Sequence, residues 1–439
     1  MKDDEPNFSV IRISVDNNKD KDFAINNKNL KHNYFLKKSR KNYMFFNNVK
    51  IILALTYIIF AIWSEKYYSK YLFNISIPFQ EKLQKEKKYK IILKISKIIS
   101  KFGKDQFFII LFGIIFVSMP LNYSFLILQS IIYSNYFTNT LKMIYQSDRP
   151  NWRSEYLKFS CDQGYGNPSG HSFTSICLFL SLAHILVKYY SIKGIYKKVI
   201  FIFFVSFSFL IMSSRVILGA HSINQVFFGF TLGLGLYFIL IHIIGYHKYT
   251  YVDFFQHICN KKIYYIYIIF HLSLFLLTIL IYILTDTKNH FDIEKKIFNG
   301  IRCEMKKPIS KYKNTALFQS LSIISLIGAQ TGTNLLFKLL KIKNYIINFS
   351  IIEWNKSSDI KYYMLRIPII LLSTSAIILY FIIPKNLPLI VIFIFKSVIP
   401  FYLGIFGMNC IGIYLCIYLN VANSEIYKIE VLQELLSAI

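Results

Sequence analysis

The apolar residues of this 439-residue chain are gathered into long blocks, and this grouping limits the possible folds more than any other feature. The blocks run for about 15–25 residues, which suits helices that cross a hydrocarbon layer about 30 Å thick. Residues 199–212 and 226–244 are two examples. Apolar and polar residues do not alternate within them, as they would in a membrane β-barrel. Because a lipid-embedded backbone must satisfy its own hydrogen bonds, the sequence predicts an all-α, polytopic transmembrane helical bundle.

Composition divides the chain into four regions. Residues 1–48 are rich in Lys, Asn and Asp, which predicts a disordered polar tail. Residues 49–106 contain a short apolar block and an amphipathic stretch, and 107–246 form the core of the chain. Residues 247–439 are a further transmembrane region. Counting every apolar block predicts about nine or ten spans.

The charge of the chain indicates contact with lipid headgroups. The formal net charge is +28, but most Lys residues lie between apolar blocks, which favours headgroup anchoring over nucleic-acid binding. Within 75–103, Lys residues recur every three or four positions, at 90, 94, 97 and 101, and therefore share one helical face. Ile residues cover much of the remaining surface. This pattern predicts an amphipathic helix at the membrane surface, with a solvated linker helix as the alternative.

Three polar clusters stand at the edges of apolar blocks between residues 142 and 225. They are Lys142 to Arg149-Pro150, Pro168-Ser169-Gly170-His171, and Ser214-Arg215 through His221 to Gln225. The first cluster ends one helix and the second begins the next, so both lie on one side of the membrane. The chain then crosses at 172–187 and returns at 199–212. All three clusters are therefore expected on the same membrane face.

The side chains of these clusters suit a phosphoryl group. Arg149 and Arg215 carry planar guanidinium groups that match phosphate oxygens, and Lys142 adds a point charge. Gly170 lies at the start of a helix, where free backbone N–H groups and the helix dipole favour an anion. Histidines can serve as a nucleophile that accepts the phosphoryl group and as an acid that protonates the leaving oxygen. The clusters together predict a phosphatase site.

The order Lys-x6-Arg-Pro, Pro-Ser-Gly-His and Ser-Arg-x5-His resembles the signature of the type-2 phosphatidic-acid phosphatase (PAP2) superfamily. The resemblance covers about residues 107–246, which would form a PAP2-like catalytic core. It implies that His221 forms a phosphohistidine and that His171 is the general acid. It also implies that no metal or other cofactor takes part. The residues that it assigns to binding phosphoryl oxygens are Lys142, Arg149, Ser169, Gly170 and Arg215.

Gln225 departs from the common family pattern, in which an Asp stands four residues after the nucleophilic His. Positions 221 and 225 share a helical face, so the side chain at 225 is expected to orient His221. The glucose-6-phosphatase branch resembles this chain in having Gln there. It also resembles this chain in a Cys-x-x-Gly-x-Gly-x-Pro-Ser-Gly-His run, here Cys161 to His171. The run around Gly219-Ala-His221 is similar to sphingoid-phosphate phosphatases instead.

The leading prediction is a metal-independent phosphomonoesterase that resembles glucose-6-phosphatase and hydrolyses a sugar phosphate. The alternative is a lipid phosphate phosphatase acting on sphingoid-phosphate, phosphatidate or polyprenyl phosphate. A second alternative is a catalytically silent protein that only binds phosphate, and Gln225 is the feature that motivates it. The expected partners are the phosphorylated substrate and membrane lipids, with no nucleic acid.

The Lys-rich loop 188–198 lies on the side opposite the clusters. The positive-inside rule makes that side cytoplasmic. The site is then expected to face the lumen of the endoplasmic reticulum. Loops 64–104 and 285–314 are also basic and would share the side of the site, so their orientation stays open.

Overall fold

The protein is described here by a computed structural model. The residues that it describes are 22–154, 156–157, 159–160, 162, 164–245, 259–285, 312–342, 346–347, 360–378, 382, 391–419 and 426–427. Residues 54–439 form one compact unit, and residues 1–53 form another, of which the described part is the beginning of the first helix.

Helices account for nearly all of the described chain. In chain order they are α1 (Asp22–Lys85), α2 (Lys90–Lys101), α3 (Asp105–Ser118), α4 (Leu121–Tyr145), α5 (Pro150–Arg153), α6 (Gly170–Tyr189), α7 (Gly194–Ile217), α8 (Ile223–Phe238), α9 (Lys261–Leu284), α10 (Tyr312–Ser320), α11 (Ile324–Ile342), α12 (Ile360–Ser373), α13 (Ile399–Gly407) and α14 (Ile413–Tyr418).

Short segments of other geometry extend or join these helices. 3-10 turns occupy Lys87–Tyr89, Leu321–Ile323 and Ser375–Ile378, and π-helical turns occupy Ile239–Ile244, Ile392–Val398 and Met408–Gly412. The two-residue strands β1 (Ile346–Ile347) and β2 (Ile426–Tyr427) pair antiparallel, with Ile346 opposite Tyr427.

The all-helical membrane bundle predicted from the apolar blocks is confirmed. Within the described part of the chain, six helical stretches are long and apolar enough to cross a membrane: Gly170–Tyr189, Gly194–Ile217, Ile223–His242, Lys261–Leu284, Tyr312–Leu339 and Ile399–Cys416. The prediction of nine or ten spans also counted blocks inside α1, α3, α4 and α12. Of these helices, α3 and α12 have only 14 residues each.

Close helix contacts in the core depend on small residues of α8. A Cβ atom at Gly229 would collide with the backbone oxygen of Ser169, just before α6, and one at Gly233 with the backbone oxygen of Phe173 in α6. Because neither residue has a side chain, α6 and α8 approach closely enough to bring their N-terminal ends together. Both ends carry residues of the polar clusters.

The N-terminal region differs from the sequence prediction in two ways. Helix α1 begins at Asp22, inside the segment predicted to be disordered, because residues 22–48 contain no Gly or Pro to interrupt it. Residues 1–21 lie outside the described residues. The amphipathic helix predicted over 75–103 is divided, since Glu86 has an extended backbone that separates α1 from α2. Its Lys-bearing part is α2.

Candidate active site

The three polar clusters surround one cavity of about 190 Å³. Helices α4 and α7 end, and α6 and α8 begin, on the same side of the bundle, as the order of the spans requires. The described residues that line the cavity are Gly103, Asp105, Asn135, Thr138, Asn139, Lys142, Arg149, Asp162, Gly170, His171, Thr174, Arg215, His221 and Gln319.

Six of the eight predicted site residues line this cavity: Lys142, Arg149, Gly170, His171, Arg215 and His221. The other two, Ser169 and Gln225, lie behind it and are almost fully buried. The Ser169 hydroxyl accepts a hydrogen bond from the Ser172 hydroxyl at 3.1 Å, and the Ser169 N–H donates to the Gln225 carbonyl oxygen at 3.0 Å. These two residues therefore connect the second and third clusters.

The hydrogen bonds of Gln225 determine the tautomer of His221. Gln225 Nε2 donates to the Asp148 carbonyl oxygen at 2.7 Å, and Gln225 Oε1 accepts from the Ser222 N–H at 3.3 Å. The amide orientation follows, because a carbonyl only accepts and an N–H only donates. Since Oε1 also lies 3.2 Å from His221 Nδ1, the proton must be on Nδ1. The lone pair of His221 is then on Nε2.

His221 Nε2 accepts a hydrogen bond from Arg149 Nη1 at 3.1 Å. Burial lowers the pKa of His221 well below its usual value, and the nearby cations Arg149, Arg215 and Lys142 lower it further. His221 is therefore neutral at physiological pH. A neutral imidazole with an unprotonated Nε2 at the cavity has the form that a nucleophile needs.

Arg149 is held in place by backbone carbonyls. Its Nε donates to the Gly164 oxygen at 2.6 Å, and its Nη1 donates to the Ala220 oxygen at 2.9 Å. Burial lowers the pKa of Arg149 to about 10, which still leaves it charged at neutral pH. The guanidinium is thus a fixed positive charge beside the unprotonated nitrogen of His221.

Arg215 has two partners that the sequence analysis did not identify. Its Nη1 donates to the Ser100 hydroxyl at 2.5 Å, and its Nη2 forms an ion pair with Asp162. Ser100 belongs to the buried stripe of α2, with Leu93 and Ser96. In the sequence, this buried stripe could have been recognised from Ser96 and Ser100, which lie four positions apart in a helix otherwise rich in Lys and Ile.

His171 is the second residue of α6 and packs against a glycine. A Cβ atom at Gly103 would lie 2.6 Å from His171 Cδ2, so only glycine leaves room for the imidazole. His171 Nε2 is buried and has no hydrogen-bond partner among the described residues. The nitrogen is available to a group in the cavity.

Helix α1 supports the site from outside the three clusters. Gln80 Nε2 donates to the His221 carbonyl oxygen at 2.8 Å, and the Ser76 hydroxyl accepts from the Ile223 N–H at 2.9 Å. The Glu65 carboxylate accepts from Asn167 Nδ2 at 2.8 Å. These three residues were not predicted from the sequence, because nothing in the local pattern shows which distant loop a helix face will meet.

No group of three or more His, Cys, Asp or Glu side chains arranged to hold a metal ion occurs within the described ranges. The charges that line the cavity come instead from Lys142, Arg149 and Arg215, together with the carboxylates of Asp105 and Asp162. The arrangement can bind an anion beside the unprotonated nitrogen of His221.

The sequence profile of the PAP2 superfamily matches residues 123–249. The matched residues 123–249 are hereafter called the PAP2 segment. All eight predicted site residues lie inside it, whereas Ser100, Gly103, Asp105 and Gln319 lie outside. The predicted superfamily resemblance is confirmed, and the narrower resemblance to glucose-6-phosphatase stays a prediction.

Two curated relatives match parts of the chain. Phosphatidylglycerophosphatase B of Bacillus subtilis is 33% identical over 88 residues, which are 20% of this chain and 43% of the relative. Dolichyldiphosphatase of Saccharomyces cerevisiae is 30% identical over 113 residues, which are 25% of this chain and 47% of the relative. The chain therefore spans under half the length of the curated relatives it matches.

One solved structure is similar to part of the protein. It is the crystal structure of a transmembrane PAP2-type phosphatidylglycerolphosphate phosphatase from Bacillus subtilis, with a TM-score of 0.39 and 22% sequence identity. The similarity covers 43% of this chain and 93% of the other.

Proposed function

We propose that this protein is a membrane phosphatase that hydrolyses a lipid phosphate through a phosphohistidine on His221. The observation that carries the proposal is the neutral His221, whose unprotonated Nε2 faces a cavity lined by Lys142, Arg149 and Arg215. The two curated relatives carry names of enzymes that act on lipid phosphates, which supports the lipid alternative over the predicted sugar phosphate.

The first step is an in-line attack of Nε2 on phosphorus. The bound phosphate anion favours the protonated form of His171. The N–P bond forms as the ester P–O bond breaks, and the protonated His171 gives its proton to the leaving oxygen. Arg149 Nη1 donates a hydrogen bond to His221 Nε2 in the free protein. When substrate binds, the same N–H can donate to a phosphoryl oxygen beside Nε2 instead. Negative charge on the equatorial oxygens is stabilised by the two guanidinium groups and Lys142.

The second step hydrolyses the phosphohistidine. His171, now neutral, accepts a proton from water as the water oxygen attacks phosphorus. The N–P bond then breaks and its electrons return to Nε2. Phosphate leaves, and both histidines regain their starting protonation states. Gln225 keeps the proton on Nδ1 throughout, so the same nitrogen accepts the phosphoryl group in each cycle.

Hydrolysis by the purified protein tests this proposal. Wild-type protein in detergent micelles should release phosphate from a lipid phosphate, and His221→Ala should abolish the release while the protein stays folded. His184→Gln is a suitable control, because His184 does not line the cavity. Labelled phosphate trapped on His221 after acid-free quenching would support the covalent step, whereas full activity of His221→Ala would overturn it.

A sugar phosphate remains the second candidate substrate, because the lining of the cavity is polar. Every described residue that lines it is glycine or carries a polar side chain. Glucose 6-phosphate therefore belongs in the same assay as the lipid phosphates. The silent phosphate-binding alternative predicts that none of these compounds is hydrolysed.

We also propose the endoplasmic-reticulum membrane as the location, with the site on the lumenal face. The Lys-rich stretch 188–198, which includes the turn between α6 and α7, lies at the end of these helices opposite the cavity. The positive-inside rule assigns that turn to the cytoplasm.

A further inference from the structure

We propose that the cavity contains a second subsite, which binds the hydroxyl groups of a polyol attached to the leaving oxygen. The inference rests on the proposed phosphatase function and narrows its substrate class. The subsite consists of Asn135, Thr138 and Asn139 on α4, Thr174 on α6 and Gln319 on α10. Hereafter these five residues are called the polyol wall.

The α4 members of the wall share one helical face with Lys142. Positions 135, 138, 139 and 142 follow the i, i+3, i+4, i+7 spacing, which aligns them along the helix. At about 1.5 Å per residue, Asn135 lies about 10 Å along α4 from Lys142. The face therefore begins at the phosphoryl-binding cations and continues past them along the cavity. A leaving group of several carbon atoms would extend along this face.

Thr138 is the member that points most directly to a ligand. Only 2% of its surface is exposed, and its Oγ1 has no hydrogen-bond partner in the part of the chain that the structure describes. Leaving a buried hydroxyl unpaired costs free energy, so a partner from the cavity would stabilise it. Thr138 also contacts Gly170, since a Cβ there would lie 3.3 Å from Thr138 Cγ2. It therefore lies beside the residue that precedes His171, the proposed general acid.

The two asparagines hold each other in place. Asn139 Nδ2 donates to the Asn135 carbonyl oxygen at 2.9 Å and to Asn135 Oδ1 at 2.7 Å. Asn135 Nδ2 approaches the Gln319 carbonyl oxygen and the Ser322 hydroxyl, each at 3.4 Å. The donors of Asn139 face Asn135, and its Oδ1 stays available as an acceptor for a hydroxyl group. The wall is thus partly organised before any ligand binds.

Gln319 comes from α10, outside the matched segment 123–249. Its side chain is exposed, so it can bond to a ligand without losing a protein contact. Together the wall offers donors and acceptors but no apolar surface. An aliphatic chain attached directly to the phosphate would leave these groups unpaired, whereas a glycerol-like or sugar-like group would satisfy them. The substrate class is a phosphate monoester of a polyol, either as a lipid headgroup or free in solution.

Three substrates test the inference and separate the two sources. They are a diacyl lipid that ends in glycerol phosphate, phosphatidate with the same acyl chains, and soluble glycerol 3-phosphate. We expect kcat/KM to be at least tenfold higher for a polyol phosphate than for phosphatidate. Comparing kcat/KM for the lipid polyol phosphate with kcat/KM for soluble glycerol 3-phosphate then identifies the source, which is the substrate with the higher value.

Thr138→Val removes the hydroxyl at almost constant volume. We expect kcat/KM for the polyol phosphate to fall about fivefold, the value of one hydrogen bond, and to fall more than kcat/KM for phosphatidate. Gln319→Leu, at an exposed position, should show the same selectivity. Thr140→Val is the matched control, because Thr140 lies two residues further along α4 and does not line the cavity.

The outcomes distinguish the subsite from the phosphatase function. Equal hydrolysis of polyol phosphate and phosphatidate, dependent on His221, would leave the phosphatase proposal standing and overturn the subsite. Equal losses on both substrates in Thr138→Val and Gln319→Leu would also overturn it. Hydrolysis of none of the three substrates would overturn the subsite, and if sphingoid and polyprenyl phosphates also stay intact, the phosphatase proposal is overturned as well.

Discussion

At the scale of single residues, the hydrogen-bond partners of Gln225 explain why this position has an amide. One partner is a donor and the other is an acceptor. The side chain must accept from His221 Nδ1 and donate to the Asp148 carbonyl oxygen. A carboxylate could only accept, and would repel that carbonyl. Gly166 makes the arrangement possible, since a Cβ atom there would collide with Gln225 Nε2. Gln225 therefore belongs to a complete hydrogen-bond set, which argues against a silent site.

Gln225→Glu tests this explanation. We expect a lower kcat, because the new carboxylate faces the Asp148 oxygen. The negative charge beside Nδ1 should also raise the pKa of His221 and move the acid limb of kcat/KM to higher pH. A pH–rate profile of the variant and of the wild type measures both effects. An unchanged acid limb would mean that Gln225 does not contact the nucleophile.

The wild-type pH profile is itself a prediction. The proposed nucleophile must be neutral, so protonation of His221 removes activity as pH falls through its pKa. Because burial and nearby cations lower that pKa well below 6.5, we expect no loss of kcat/KM from His221 protonation between pH 7.5 and about 6.5. An acid limb at or above pH 6.5 that Gln225→Glu shifts upward would contradict the assignment.

Asp162 competes with phosphate for Arg215. Its carboxylate forms an ion pair with the buried guanidinium and lines the same cavity. We expect Asp162→Asn to strengthen inhibition by inorganic phosphate by up to about fivefold, since Asp162 is partly exposed and its ion pair is partly screened. Inhibition constants at two salt concentrations measure this. Weaker inhibition in the variant would instead mean that Asp162 holds Arg215 in the position that binds phosphate.

At the scale of elements, the turn after α2 is expected to be sensitive to added volume. Gly103→Ala would place a methyl group 2.6 Å from His171 Cδ2 and 2.8 Å from Ile211 Cγ2. Either α2 or the imidazole must move, so we expect kcat to fall at least tenfold with little change in membrane insertion. Gly113→Ala on α3 is the control, because no atom lies within 4 Å of the added carbon.

Residues from α1 and α2 also contact residues of the candidate site, although both helices precede the PAP2 segment. Gln80 bonds to the His221 backbone, and Ser100 bonds to Arg215. On α2 the face opposite Ser100 exposes Lys and Ile side chains together, as a helix at a lipid surface requires. The amphipathic character was predictable from spacing, whereas these two contacts were not.

At the scale of the whole molecule, the sidedness of the site can be measured. We expect an impermeant thiol reagent to label Lys193→Cys from the cytoplasmic side of sealed vesicles. Phe159→Cys, on the side of the cavity, should be labelled only after permeabilisation. Both positions are exposed, and wild-type protein corrects for native cysteines. The reverse pattern would place the site in the cytoplasm.

The sequence by itself determined the class of fold and six of the residues that line the cavity. Long apolar blocks permit only membrane helices, and the order of the spans places the three clusters on one face. The tertiary structure decided what local pattern does not encode. It placed α1, α2 and α10 around the PAP2 segment and brought Gln80, Ser100 and Gln319 to the site. Such contacts depend on which helices pack together, and the sequence around a polar residue on one helix does not identify its partner on another.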